Sequence, residues 1–490
     1  MGACIDTLKK LATEGLDWTE PGTGIKRNTK LKTLFGVFDS QAKPIFMNIL
    51  TPSGHMSCPV CYADASKECN NMVYGYREKI VLRKMEDYPA ILSEKNIHIY
   101  ANTHGICGPP PLGLLPHYDV FNSTVIDILH AVDLGVIKLF LRAFIFSRKD
   151  KPYNIDTMAN GNLLRVNVRM KSIRPPDSLP RKVGPVSEVD NYKAVEFIMW
   201  LLYYFPTVML GLIPAKYYRH LFAFCEGISI LLKTTIPPAD VRRADFLLNR
   251  FVKDVNELYD DLSFRTLNLH LIQHLAKLIQ AIGSYRDLNS YVFEDLNGTY
   301  RGYISGACNV SKQIVLRDEM RFRVSLDLLG SEDRTTCPDK PVVKNRNSIT
   351  SEFADLCFRQ KKENVKHQFE TYRLNKKYLT SETYDKGKKS VNHVVKLGEG
   401  VFFIIKCFVE CAGRIHAIGR QAKSIGLISA QLLDDNNRPY EMALHYYHEV
   451  VISDENELID TVYLKEKCML VDNVVPGRIF CAELFYRSAF

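Results

Sequence analysis

The stretch LKTLFGVFDSQAKPIFMNILTPSGHMSCPVC, residues 31–61, reads as an apolar strand ending on Asp39, a helix, a Gly-His loop and a Cys-x-x-Cys turn. A carboxylate at a strand end can face a hard cation, because Mg²⁺ takes oxygen ligands. It can equally cap the helix SQAKPIFMNIL by accepting its first N–H groups. Both readings of Asp39 stay open on these residues. Cys58 and Cys61 on one turn offer two thiolates to one tetrahedral zinc, which needs two further ligands. A thioredoxin-like redox pair is the alternative, but such a pair opens a helix after a strand, whereas this one follows a helix and a loop.

The missing half of a metal site is found far downstream. His270 and His274 in LNLHLIQHL are four apart and so project from one side of a helix. Alone among leucines they read as packed core histidines; joined to the CPVC turn they complete a Cys2His2 set.

Outward from this pair of motifs, IDTLKKLATEGLDW spaces Ile5, Leu8, Leu11 and Leu16 on one helical face, and GTG breaks the pattern before the strand TLFGVFD. GICGPPPLGLLPHYD is a loop, and STVIDILHAVDLGVIKLFLRAFIF predicts one long helix with Ser123 or Thr124 as N-cap. Asp127 and His130 share a face near its start, where an acid favours the helix dipole and the histidine reads as core. Cys107, with His104 and His117 in reach as bases, lacks the electropositive helix start that activates a thiol. RMKSIRPPDSLPRKVG is a basic connector, and residues from about 192 to 282 are helical throughout. Within them FIMWLLYYFPTVMLGLIPA, Phe197 to Ala215, is uncharged and nearly long enough for a bilayer. Pro206, the two tyrosines before it and the amphipathic run after it favour two buried helices instead. VFEDLNG puts Glu294 at the start of a helix; 331–395 is polar and Lys-rich and reads as a linker; 396–490 alternates apolar residues with turns and reads as a small β-rich domain.

The chain has 490 residues, 46% hydrophobic and 24% charged, enough for two or three cores. Its 64 basic and 55 acidic residues give +9, a balance that suits phosphate partners. Thirteen cysteines with no secretory apolar segment near Met1 fit a reducing compartment, with thiols free or on metal. The start MGACIDT carries Asp6 where a myristoylation signal needs Ser or Thr.

In order, FGVFDSQAKP, CPVC, GPPPLGLLPHYDVFNSTVIDILHAVDLGV, YKAVEFIMWLLYYFPTVMLGLIPAKYYRHLF, LNLHLIQH and YVFEDLNGTYRGYISG resemble the transposases of eukaryotic cut-and-paste DNA elements, the CACTA-like transposase domain-containing group, over residues 1–315. The order of Asp, Cys pair, His pair and Glu is also similar to the related group that contains the V(D)J recombinase catalytic subunit, where the Cys and His pairs bind one structural zinc. The resemblance implies an RNase H-like α/β catalytic core interrupted by a large all-α insertion. Its boundaries here are 1–63 for the partial core with the Cys knuckle, 64–290 for the insertion and 291–330 for the closing helix of the core, followed by linker and β-rich domain.

What the resemblance implies for chemistry is two-metal cleavage and transfer of DNA strands. Asp39 is then the second acid and Glu294 the terminal one, both on Mg²⁺. Cys58, Cys61, His270 and His274 hold structural zinc, and Asp127 and His130 match the Asp/Cys-x-x-His signature as site-supporting residues, with Asp127 the substitute for the second acid. Lys312, Arg317, Arg321 and Arg323 are candidates for DNA phosphate contacts, against a plain solvated face. The expected setting is nuclear, as a homodimer or higher oligomer on transposon terminal repeats, with no membrane. The family's first Asp lies on a strand before the opening helix, and neither Asp6 nor Asp17 can replace it. The expectation is therefore a core without its first three strands and no strand transfer by this polypeptide alone. A non-catalytic, zinc-stabilised DNA- or protein-binding factor is the other expectation.

Overall fold

A computed structural model describes residues 2–20, 22–68, 71–86, 104–158, 162–179, 181–330, 341–374, 377–433 and 437–485. The protein is mixed α/β and falls into two units, Met1–Asn167 with Val183–Ser290 and Ala430–Met442, and Val168–Lys182 with Tyr291–Ser429 and Ala443–Phe490.

In the first unit the opening helix Gly2–Thr13 buries Ile5, and Leu16 lies beyond it in a hairpin of β1 (Leu16–Thr19) and β2 (Lys26–Thr29). β3 (Gly36–Phe38) leads into the helix Ala42–Met47. A small hairpin of β4 (Ser66–Glu68) and β5 (Asn71–Val73) follows the Cys turn. The predicted helix from Ser123 starts later than expected. Thr124–Ile126 is instead strand β6, parallel to β3 with Phe38 opposite Ile126, because this β-branched run is fully buried between neighbours. Asp39 and Asp127 therefore leave two adjacent parallel strands at the same step. The helix proper runs Leu129–Phe146, and its first part, Leu129–Ile137, is wound in wider π turns.

The all-α stretch is present as expected. Helical segments Ala194–Val208, Ala215–Leu231, Pro238–Tyr259 and Leu267–Ile282 bury nearly every apolar side chain, including Trp200, Tyr203 and Tyr204. Pro206 does not end its helix; a π turn at Trp200–Tyr204 precedes it, and its carbonyl accepts a hydrogen bond from Tyr218 (2.7 Å). A widened turn absorbs the missing proline donor. No helix among the described residues is long and apolar enough to cross a membrane.

The second unit holds a nine-stranded antiparallel sheet. Its strands are β7 (Val342–Ser348), β8 (His367–Leu374), β9 (Lys377–Thr380), β10 (Val394–Gly398), β11 (Val401–Cys411), β12 (Arg414–Leu433), β13 (Pro439–Asp460), β14 (Cys468–Val475) and β15 (Arg478–Glu483). The linker reading of 331–395 is corrected: apart from 331–340 and 375–376, which lie outside the described residues, this stretch supplies β7 to β10 and the helix Ser351–Lys361. β7 is nearly all exposed and carries Lys344 and Arg346, the charged chemistry of an edge strand, which is why it reads as unstructured.

Six of these strands close on themselves in the order β14–β15–β13–β12–β11–β10. The seam is made by Lys396 N–H to the Glu466 carbonyl and Lys465 N–H to the Lys396 carbonyl, both 2.8 Å. Phe402, Ile404, Ala422, Val450, Cys468 and Cys481 fill the interior. The opposite face of β11, through Phe403, Ile405 and Phe408, packs with Tyr372 and Leu379 of the outer strands. Apolar residues on both faces of β11 follow from this double coverage. The helices Tyr291–Tyr303 and Val310–Gly330, expected to finish the core that begins with Asp39, belong to this second unit.

Candidate metal centre

Cys58 and Cys61 sit on a tight turn, and His270 and His274 on the helix Leu267–Ile282, which Thr266 caps by accepting the Leu269 N–H (3.2 Å). Packing of that helix brings the two pairs together, and all four side chains are 0–1% exposed. Cys58 Sγ lies 3.6 Å from Cys61 Sγ and 3.6 Å from His274 Nε2, Cys61 Sγ 3.2 Å from His270 Nε2, and the two Nε2 atoms 3.2 Å apart. A tetrahedral zinc with bonds of about 2.3 Å to sulfur and 2.0–2.1 Å to nitrogen has edges of roughly 3.3–3.8 Å. The separations of 3.2–3.6 Å are within a few tenths of an ångström of such edges, and all four atoms lie within 4.8 Å of one another. This buried Cys2His2 group could bind a metal such as zinc.

The surroundings hold the knuckle in shape. Arg83, 2% exposed, donates to the carbonyls of Cys58 (2.9 Å), His104 (2.6 Å) and Met56 (2.9 Å). Gly105 has φ +67°, and a Cβ there would stand 2.0 Å from the Met56 carbonyl oxygen. The Tyr74 hydroxyl accepts the Ser57 N–H (3.1 Å) while its ring lies 5.5 Å from His270. Gln273, between the two histidines in sequence, donates to the Arg77 carbonyl (3.0 Å), which ties the helix to the chain beyond the cysteines. Burial opposes ionisation of Cys58, but the Cys61 hydrogen bond and the His274 and His270 charges outweigh it and hold its thiol well below the ordinary value. Cys61 is pushed up by its bond to the Cys58 sulfur and by burial. A bound divalent cation would deprotonate both thiols.

Asp39 and Asp127 lie in the same unit. Asp39 Oδ1 accepts the N–H groups of Gln41 (2.9 Å) and Ala42 (2.6 Å), so the helix-capping account of this residue is present in the structure. Asp127 is 1% exposed; Oδ1 accepts the Ser290 N–H (3.0 Å) and Oδ2 bonds His130 Nδ1 (2.5 Å). Burial would raise the Asp127 carboxyl, but the His130 bond and charge, the Ser290 N–H and the Lys43 ammonium keep it below its usual value. Lys43, one turn past Asp39, is 7% exposed and lowered to about 8 by burial, against the pull of Asp127, Cys58 and Asp39.

No family model, curated protein or solved structure matches the chain. What the arrangement can do is read from its own atoms.

The structure assembles the Cys and His pairs and sets Asp39 and Asp127 on neighbouring strand ends. Glu294 is exposed in the first turn of Tyr291–Tyr303, and Lys312, Arg317, Arg321 and Arg323 are exposed along Val310–Gly330, all in the second unit. Burial raises the Cys107 thiol, the opposite of activation. Sequence reasoning passed over Lys43 and Arg83, because a lone Lys or Arg in a polar stretch carries no sign that it will be buried.

Proposed function

We propose that the chain is a zinc-stapled, DNA-processing protein of the DDE transposase kind. Zinc sits on Cys58, Cys61, His270 and His274, and Asp39 and Asp127 form the acid pair that faces divalent metal. The observation that carries the reading is the parallel pairing of β3 with β6, which puts two acids at neighbouring strand ends, Asp39 ahead of the helix that leads to the Cys turn and Asp127 as the acid of the Asp-x-x-His element. Bound Mg²⁺ supplies activation of the attacking oxygen and stabilisation of the leaving one. The protein's part is to fix the carboxylates: the Ala42 and Gln41 N–H groups orient Asp39, and Ser290 and His130 orient Asp127. The exposed cations of Val310–Gly330 supply phosphate contacts. Terminal-repeat DNA, a homodimer or higher oligomer and a nuclear setting belong to the same reading.

The test is nicking of supercoiled plasmid by the zinc-loaded full chain in Mg²⁺ or Mn²⁺. Metal-dependent nicks that vanish in Asp39→Asn and Asp127→Asn carry the reading; nicks that persist in both variants overturn it. One observation favours DNA binding without cleavage instead: both Asp127 oxygens are already hydrogen-bonded, and Lys43 already opposes the two acids. Zinc and DNA bound with no nicking would select that second reading.

A further inference from the structure

The first unit contains a cavity of about 700 Å³ between the helix Ala42–Met47, the β4–β5 hairpin, the start of Leu129–Phe146 and the start of Leu267–Ile282. That volume is in the range of small-ligand sites. Lys43 lines it and is 7% exposed, yet its ammonium makes no hydrogen bond or ion pair with any described residue. Asp127, Cys58 and Asp39 attract it from a distance, but its donors have no direct acceptor. Arg265 lines the same space, and its Nε is buried with no hydrogen-bond partner among the described residues.

A third contribution comes from the backbone. Thr266, the N-cap whose own N–H is bonded to the Phe264 carbonyl (2.8 Å), and Leu267 and Asn268, the first residues of a 16-residue helix, also line the cavity. Unpaired N–H groups and the positive end of the helix dipole favour an anion there. Lys67 adds a further cation and His130 a ring nitrogen. Asp127 is the single acid on the wall among the described residues, and its oxygens accept from Ser290 and bond His130. Apolar surface from Ile49, Met72 and Leu271 completes the lining.

We infer that this cavity binds a phosphate ester of nucleotide size, with the phosphate on Lys43, Arg265 and the helix start, and the organic part against the apolar wall. A planar guanidinium and a buried ammonium match phosphate oxygens. A free nucleotide and a 5′-phosphorylated strand end present the same monoester. The cavity shares Asp127 and His130 with the proposed metal site, but its phosphate contacts are Lys43, Arg265 and the helix start, so binding without Mg²⁺ is read apart from cleavage.

The experiment is calorimetric titration of the zinc-loaded full chain, with no Mg²⁺ added. The probes are inorganic phosphate, a nucleoside 5′-monophosphate, the parent nucleoside, and a tetranucleotide with and without a 5′-phosphate. The monophosphate is expected to bind and the nucleoside not to. Lys43→Met and Arg265→Gln should each weaken binding about tenfold or more, the loss of one charge-assisted contact. Zinc content should be unchanged in both variants. Binding of the 5′-phosphorylated tetranucleotide without the free monophosphate would support the site and assign it to a strand end. Equal binding of nucleoside and monophosphate, no saturable binding of any phosphate probe, or undiminished affinity in both variants would overturn the inference. Nicking activity is read separately, so loss of the cleavage reading leaves this result interpretable.

Discussion

Replacing Cys58 with serine removes one of four ligands from a site that joins segments 209 and 216 residues apart in sequence. Structural zinc in small finger peptides is worth roughly 10–16 kcal/mol, so an even share is about 3 kcal/mol per ligand. That corresponds to about a 100-fold loss of zinc affinity. At free zinc about 100 times the wild-type dissociation constant, wild type gains about 2.7 kcal/mol and the half-loaded variant about 0.4, a difference of about 2.3 kcal/mol. In a unit of this size that lowers the thermal midpoint by about 4 °C. The assay is metal analysis of purified protein together with thermal unfolding followed by circular dichroism, with and without a zinc chelator. Wild type should carry one zinc and lose midpoint on chelation; Cys58→Ser should carry less and respond little. Cys107→Ser, outside the cluster, should match wild type in both measurements. Zinc-free wild type after purification from zinc-supplemented medium, or a wild-type midpoint indifferent to chelator and equal to that of Cys58→Ser, would refute the reasoning.

Arg83→Met strands three carbonyls around the Cys turn and should cost about 2–4 kcal/mol, with zinc affinity down roughly 10–100-fold, measured by urea unfolding and zinc competition. Gly105→Ala forces a Cβ toward the Met56 carbonyl at a positive φ and should cost about 3 kcal/mol, read from the same unfolding curves. Asp261 is opposed by burial, but its hydrogen bonds from Ser263 and Tyr153 and the Lys151 charge lower it from 3.8 to about 2. A depressed folded value stabilises above the unfolded one, so the destabilisation caused by Asp261→Asn should be full near pH 6 and shrink as pH falls from about 4 through 2. A wild-type-minus-variant difference in urea midpoint that stays constant over that range would contradict this.

Most of the metal centre was legible because its signals are local. Cys-x-x-Cys fixes two thiols on one turn, and His270 and His274 share a helix face whatever surrounds them. The helical stretch 194–282 was equally legible, since its apolar residues keep helical spacing over several turns. β6 was missed because Thr124–Ile126 is only three residues long and runs straight into a helical pattern, so the longer period masked the shorter. β7 was missed for the opposite reason: an exposed edge strand has no buried face to impose alternation. Closure of the β-rich domain rests on backbone hydrogen bonds between Lys396, Lys465 and Glu466, which no side-chain pattern records.

The sequence by itself determined which chemistry is on hand: soft sulfur and imidazole ligands in two correctly spaced pairs, and an acid at the end of an apolar strand. Only the tertiary structure decided that the two pairs meet, that Asp39 and Asp127 end neighbouring parallel strands, and that Lys43 lies buried beside them. Spacing along one turn or helix is set by backbone geometry and can be read from residue numbers. Convergence of segments more than 200 residues apart is set by helix packing and strand register, which depend on every side chain in between.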